Sequence, residues 1–163
     1  MIKKVICLAF VFLLASSFMG CALFVDKEAV INDLVSYITR CPFYESYESK
    51  NELRYVKIEF NGNQAISTQE YFSIRSNKIA GESVTTHVWD MEFSVKAENK
   101  VVIKLSYKSD EGRVFKEEII ATGTPVSTGQ LIWSLSGDFN MYGINDGEFS
   151  TTKYSQNSVS KYR

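Results

Sequence analysis

The sequence predicts an α+β domain in which one N-terminal helix packs on a curled antiparallel meander sheet of about six or seven strands. A small β-barrel is the alternative. Apolar residues recur at helical spacing within residues 26–41, and from residue 52 onward apolar and polar residues alternate with a period of two. Short turn-forming segments separate the alternating stretches, which antiparallel neighbours permit and parallel neighbours, with their long crossovers, do not.

The helical segment begins after Asp26, a residue type that favours the N-cap. It ends before Pro42, because the residue preceding a proline avoids the helical conformation. Its apolar side chains form one stripe, made of Val30, Ile31, Leu34, Tyr37 and Ile38. The polar face lacks the lysine and arginine enrichment of helices that lie on lipid, so we expect this helix to pack on the sheet.

The predicted strands lie in six stretches of alternating residues. These are residues 52–60, about 67–75, 84–96, 101–108, 113–121 and 130–136. Asn61-Gly62 predicts a hairpin turn of type I′, and residues 76–83 are assigned to a loop. Residues 137–147 are rich in turn formers and receive no strand. We therefore expect one domain over residues 26–154, followed by a polar tail at residues 155–163.

Composition and charge exclude some classes of partner. The chain has 163 residues and a formal net charge of −1. Without residues 1–20, which carry Lys3 and Lys4 and no acidic residue, 16 basic residues stand against 19 acidic ones, a net charge of −3. This balance, without a basic stripe, argues against nucleic acid as a partner and against electrostatic binding to anionic lipid. Any attachment to a membrane must then be hydrophobic or covalent.

The N-terminus has the pattern of an export signal. Two lysines precede an uncharged apolar stretch, residues 5–14, and small polar residues follow it. The next four residues, Phe18-Met19-Gly20-Cys21, resemble the lipobox of bacterial lipoproteins. The resemblance implies removal of residues 1–20 and acylation of Cys21, with residues 21–25 as a short tether. The domain would then face away from the cytoplasm in the bacterial envelope, anchored by lipid to the outer or the cytoplasmic membrane.

Two other interpretations of the N-terminus stay open. Residues 5–25 contain no charged residue, so an uncleaved helix has the roughly 20 apolar residues needed to span a bilayer. Alternatively, an ordinary signal peptidase could cut near Ala22 and release the domain. Phe18 and Met19 stand where lipoproteins usually have leucine and a small residue. The lipoprotein and the uncleaved helix both keep the domain at a membrane.

The sequence contains no recognisable catalytic or metal-binding motif. His87 is the single histidine, and its position by twos from Trp89 places it at one end of a core-facing row. Asp90 and Glu92 share the polar face of a predicted strand, where a shifted pKa is not expected. Cys41 has no histidine near it in sequence and is interpreted as structural. We predict no catalytic residue, no metal and no cofactor.

Aromatic residues leave one further hypothesis. Trp89 and Trp133 both fall on inward faces of predicted strands, where they either pack in the core or line an apolar cavity if the sheet curls. We therefore expect a non-enzymatic, tethered lipoprotein that binds an envelope protein or a small apolar ligand through its sheet. The alternatives are an envelope hydrolase using carboxylates that the sequence does not pair, and a structural assembly accessory. A filled core with a long exposed strand edge would favour binding of a protein by strand addition.

Overall fold

The computed structural model describes residues 25–153 and 157–163 and consists mainly of one eight-stranded antiparallel sheet. Helix α1 spans Lys27–Ile38, and the strands are β1 Phe43–Glu48, β2 Glu52–Asn61, β3 Gln64–Arg75, β4 Lys78–Ala97, β5 Lys100–Lys108, β6 Val114–Pro125, β7 Leu131–Phe139 and β8 Ile144–Phe149. A 3₁₀ helix at Asn140–Tyr142 joins β7 to β8, and a four-residue helix, α2, spans Asn157–Ser160.

The sheet is a meander that curls almost into a closed barrel. Each strand pairs with the next in sequence, from β1 to β8, and all seven pairs are antiparallel. The first and last strands then meet at one bridge between Tyr44 and Ser150, each of which donates its backbone N–H to the other's carbonyl oxygen at 2.7 and 2.8 Å. The predicted helix with an antiparallel meander is confirmed, and the sheet curls far enough to fit the barrel alternative as well.

The expected six or seven strands are corrected to eight. Strand β1 was not predicted, because three of its six side chains are exposed and only Phe43 is buried, which leaves no clear alternation of apolar and polar residues. Strand β8 was not predicted either, because its sequence INDGEF is dominated by residues that favour turns. Both missed strands are the outermost of the meander, where packing demands on sequence are weakest.

The assignment of residues 76–83 to a loop is also corrected. A two-residue turn follows Arg75, with φ of 52° at Ser76 and 58° at Asn77, and β4 begins at once. Positive φ at both central positions is the pattern of a type I′ turn. At the β2–β3 hairpin, by contrast, Gly62 is the first central residue and has φ of 60°, the type II′ pattern, in place of the type I′ turn predicted for Asn61-Gly62.

The main core is formed by the buried, inward-facing residues of the strands, among them Val56, Trp89, Ile103, Ile119 and Leu135. Helix α1 packs at the end of the barrel where β1 and β7 begin, with Leu34 and Ile38 fully buried. Tyr37, near the end of the helix, lies against Phe43 of β1, and Asp33, in the middle of the helix, accepts a hydrogen bond from the indole of Trp133. Among the helices of the described residues, none is both long and apolar enough to cross a membrane.

A second, smaller core lies outside the barrel, on the outer face of β2 and β3. Leu53, Tyr55, Phe72 and Ile74 are buried there beneath Val159 of α2. Tyr162 also packs on this cluster, and its carbonyl oxygen accepts a hydrogen bond from the N–H of Ile79 at 3.2 Å. The segment predicted as a polar tail therefore contributes apolar side chains to the packing, because the outer face of the long hairpin offers apolar residues for it to cover.

Candidate functional site

The residues singled out from the sequence fall in different parts of the molecule. Cys21 lies outside the described residues. Trp89 and Trp133 are in the barrel core, 0% and 2% exposed. A side chain with no accessible surface adjoins no space that a water molecule could occupy, so Trp89 lines no cavity. Cys41 is a half-buried free thiol next to Pro42.

A chain of hydrogen bonds crosses the core from Trp89 to His87. The indole N–H of Trp89 donates to the hydroxyl of Ser67 at 2.7 Å, and that hydroxyl lies 2.6 Å from the hydroxyl of Tyr142. The Tyr142 hydroxyl is in turn 2.8 Å from Nδ1 of His87. Every proton is used if Ser67 donates to Tyr142 and Tyr142 donates to Nδ1, which places the imidazole proton on Nε2.

The protonation states of Tyr142 and His87, at one end of this series of hydrogen bonds, follow from burial. Burial raises the pKa of Tyr142 to about 12, so its hydroxyl keeps its proton at neutral pH. Burial also lowers the pKa of His87, which favours the neutral imidazole that the hydrogen bond from Tyr142 requires. The ring of Tyr107 meets the imidazole edge to face at a centroid distance of 4.6 Å. His87 is thus half-buried, and it accepts its hydrogen bond from Tyr142 at one end of the core-facing row.

One buried carboxylate was not foreseen. Glu117 faces inward on β6, and its two oxygens accept hydrogen bonds from the backbone N–H groups of Asn140 and Met141 at 3.0 and 2.8 Å. The carboxylate therefore holds the start of the 3₁₀ helix. Its position, two residues before the inward-facing Ile119, was the available sequence signal, since it places an acid on an apolar face.

Arg54 holds the same turn from the other side. Its Nη1 donates to the carbonyl oxygen of Tyr142 at 2.9 Å, and its Nη2 lies 2.8 Å from Glu52. The rings of Tyr47 and Tyr71 flank the guanidinium at 5.7 and 5.8 Å. The ionisable groups at this end of the barrel are therefore engaged in fixing the β7–β8 connection. Across the described residues, no group of three or more histidine, cysteine, aspartate or glutamate side chains is placed to hold a metal ion.

The most distinctive surface feature is one side of strand β4. This strand is 20 residues long and pairs with β3 from residue 78 to residue 90, but with β5 only from Asp90 to Ala97. Within the part of the chain that the structure describes, no strand pairs with the second side of residues 78–89. We call this stretch the free edge. Strand β5 pairs with β4 no further than Asp90. The tail contacts the free edge at its far end, through the backbone N–H of Ile79 and through Arg163, which lies 3.8 Å from Glu82.

The direction of the backbone groups along the free edge alternates. The N–H of Met91 donates to the carbonyl oxygen of Asn63, on the β3 side. In an antiparallel ladder, alternate residues direct both backbone groups to the same side. Odd-numbered residues from 83 to 91 therefore bond towards β3, and residues 82, 84, 86 and 88 present their N–H and C=O groups to the open side.

The side chains of the free edge do not protect it. Between Glu82 and Asp90 there is no charged residue and no proline, the residues that usually discourage pairing at an edge. Val84 and Val88 are 69% and 49% exposed on its outer face. Beside them lies a groove of about 460 Å³, whose lining includes Glu70, Phe72, Glu82, Val84, Val159 and Arg163.

Sequence reasoning found only half of this site. It assigned residues 84–96 to a strand but residues 76–83 to a loop, so the extent of β4 was missed. A length mismatch was the signal available, because a strand at residues 101–108 that turns back after Asn99 reaches only to about residue 90. Comparisons of the chain with protein-family models, curated proteins and solved structures found no match. The function is therefore inferred from residues and geometry alone.

Proposed function

We propose that the protein is a membrane-tethered envelope lipoprotein whose domain binds an extended segment of another protein by strand addition to residues 82–88 of β4. The free edge is the observation that carries this proposal. Four residues there offer eight backbone hydrogen-bonding groups, enough to pair a strand of about seven residues. Backbone bonds of this kind supply affinity in strand addition, and alternate side chains supply specificity.

The burial of the core supports a protein ligand over a small apolar one. Trp89 and Trp133, the residues that would line an internal cavity, are buried among the residues of the main core. The partner segment is expected to carry apolar or β-branched residues at alternate positions, because its outward side chains would lie beside Val84 and Val88. The engagement of Glu117 and Arg54 in structural contacts also supports a binding role over hydrolysis.

The test of strand addition uses three variants of the tethered protein. Val84→Lys places a charge on the free edge. Thr86→Pro removes one outward N–H and no backbone bond to β3, and it also removes the 3.4 Å hydroxyl contact between Thr86 and Thr68 of β3. Ile132→Lys, which changes a similarly exposed residue on β7, is the matched control. We expect the amount of partner cross-linked from envelope extracts to be unchanged in Ile132→Lys and to fall at least tenfold in the other two variants.

The mode of binding is read from hydrogen exchange, since capture from an extract alone does not establish it. Binding should slow the exchange of the N–H groups of Val84, Thr86 and Val88, which face the open side in the free protein. The N–H groups of Thr85 and His87, already bonded towards β3, should change little. Uniform protection, or undiminished capture by a folded Thr86→Pro variant, would contradict strand addition.

The tether is tested separately by mass spectrometry of the mature protein. We expect an N-terminus at Cys21 that carries acyl chains, and loss of the protein from the membrane fraction in Cys21→Ala. A retained Met1 would establish the uncleaved helix instead. A lipid-free N-terminus near Ala22 would overturn membrane attachment altogether.

A further inference from the structure

We propose that the segment added to the free edge carries a lysine or arginine opposite Glu82, and that its cationic head pairs with the carboxylates of Glu70 and Glu82. This inference rests on the proposed strand addition, and it names the chemistry of the partner. It derives from the groove that borders the free edge on its outer face.

The groove lies over β3 and β4, beside the position from which an outward side chain of an added strand would project. The partner residue opposite Glu82 would form a backbone-bonded pair with it, with side chains on the same face of the sheet about 5 Å apart at their Cβ atoms. Glu70 is opposite Val84 in the β3–β4 register, and Phe72 is opposite Glu82. The two carboxylates are therefore diagonal neighbours on one face. Glu82 is next to this position, and Glu70 lies one strand further away, within reach of a long side chain that extends across β4.

The lining of the groove suits a long basic side chain. Phe72 and Val159 are buried at its apolar floor, and Val84 forms the side nearest the free edge. Lysine and arginine place their aliphatic stem along apolar surface and keep the charged head at a polar rim. A short acidic or neutral side chain would leave the floor uncovered and would add no opposite charge.

The protein's own Arg163 already places a cation at this position. Its Nη2 is 3.8 Å from Oε2 of Glu82, and both side chains are about two-thirds exposed. Two carboxylates in the groove face this single guanidinium, so the lining keeps an excess negative charge. Because a surface pair of this length and exposure is weak, an incoming cation on a strand held by backbone bonds can take its place.

The partner is accordingly an extended segment with a basic residue at one end and apolar or β-branched residues at the following alternate positions. These following residues would lie opposite Val84, Thr86 and Val88. Lys78, at the far end of the free edge, is its single basic residue, and no lysine or arginine lies on residues 79–89.

The test compares two synthetic nine-residue peptides of alternating valine and threonine, measured by fluorescence polarisation at low salt. One carries arginine at a terminal outward position, and the other carries citrulline, its neutral isostere. We expect the arginine peptide to bind about fivefold more tightly, the factor that corresponds to an exposed charge pair of about 1 kcal/mol. The preference should disappear in Glu70→Gln/Glu82→Gln and persist in Glu118→Gln, a substitution on the exposed face of β6.

The outcomes separate this inference from the function on which it rests. Equal binding of both peptides, abolished in each case by Thr86→Pro, would overturn the basic partner and leave strand addition standing. Binding of neither peptide would overturn the basic partner as well. If the N–H groups of Val84 and Thr86 also show no protection with the captured partner, strand addition fails with it.

Discussion

At the scale of single residues, the polar atoms of the core are paired in a directed sequence. Trp89 donates to Ser67, and in the arrangement that uses every proton Ser67 donates to Tyr142 and Tyr142 to His87. Each group is buried or half-buried, and an unpaired polar group in such a place carries a desolvation penalty. This series of hydrogen bonds therefore fixes which side chains face inward at the end of the barrel away from α1.

Ser67→Ala should reduce the free energy of unfolding by about 1–3 kcal/mol, because it leaves the indole N–H of Trp89 without its acceptor inside the core. Denaturant unfolding followed by tryptophan fluorescence measures the loss. Ser134→Ala removes an exposed serine hydroxyl from β7 and should change stability by less than about 0.5 kcal/mol. Equal effects of the two substitutions would mean that the buried chain contributes no stability of its own.

The protonation of His87 should make stability depend on pH. Burial lowers the pKa of His87 in the folded state below its ordinary value of 6.5, so the unfolded chain takes up the proton first as pH falls. The contribution of this residue is complete above about pH 6.5 and declines through the folded-state pKa.

In His87→Gln, unfolding free energies measured between pH 7.5 and 5 should decline less steeply than in the wild type. The glutamine keeps an acceptor for Tyr142 but does not titrate. Parallel curves would indicate that His87 has the same pKa in both states.

Residue positions were predictable where alternation was strong. The inward placement of Trp89, Trp133 and His87 follows from counting by twos along their strands. Tyr142 did not follow, because it lies in a 3₁₀ helix within a segment whose composition indicates turns. Its role depends on a contact with Ser67, 75 residues away in sequence, and periodicity carries no information about contacts at that distance.

At the scale of elements, the strands predicted from the sequence are those with one buried face. Strands β1 and β8 were not predicted, because they are short and lie at the ends of the meander. The β3–β4 turn escaped for a different reason. Ser76-Asn77 forms a tight turn without glycine, and Gly81 in the strand behind it suggested a loop. The boundaries of elements were thus predicted wrongly where neighbouring strands, and not the local residues, impose the backbone conformation.

The 3₁₀ helix between β7 and β8 should depend on the carboxylate of Glu117. Glu117→Ala removes the acceptor of two backbone N–H groups and of the Asn140 side chain, and should cost about 2–3 kcal/mol of unfolding free energy. Glu118→Ala, at the neighbouring exposed position, is the matched control and should have little effect. Hydrogen exchange at Asn140 and Met141 should rise selectively in Glu117→Ala. A loss of stability without that local change would assign the effect to packing.

The β7–β8 connection also sets a constraint on Gly143. This residue has φ of 66°, in the left-handed region, and a side chain there would collide with the guanidinium of Arg54. Arg54 itself is held between Tyr47 and Tyr71. The glycine therefore lets β1, β2 and β3 approach the turn closely enough for Arg54 to bond the carbonyl of Tyr142.

At the scale of the whole molecule, the class of fold was predictable and its closure was not. A helix followed by alternating segments with short turns specifies an antiparallel meander with few alternatives. Whether the two outer strands meet depends on the twist and stagger accumulated over seven strand pairs, which no local pattern records. In this protein the accumulated twist and stagger place Tyr44 of β1 next to Ser150, and a single bridge joins the two outer strands.

Helix α1 is integral to the barrel, because its buried side chains complete the main core. Leu34→Ala should therefore reduce the free energy of unfolding by about 2–5 kcal/mol, the range for truncating a fully buried leucine. The change should appear as a lower midpoint of one cooperative transition monitored at Trp133, which is bonded to the neighbouring Asp33. A separate early transition of the helix alone would show that it is a detachable addition to the sheet.

The length and direction of β4 give the domain a long axis with two unlike ends. Helix α1 follows directly on the proposed tether at residues 21–25, so the end of the barrel that it covers would stand nearest the bilayer. From that end, β4 extends for 20 residues, on the order of 60 Å. The turn at Ser76-Asn77 would then be the most distant point from the lipid, and the free edge would stand clear of the headgroups. A protein held at the surface by its N-terminus would in this way reach partners that never touch the membrane.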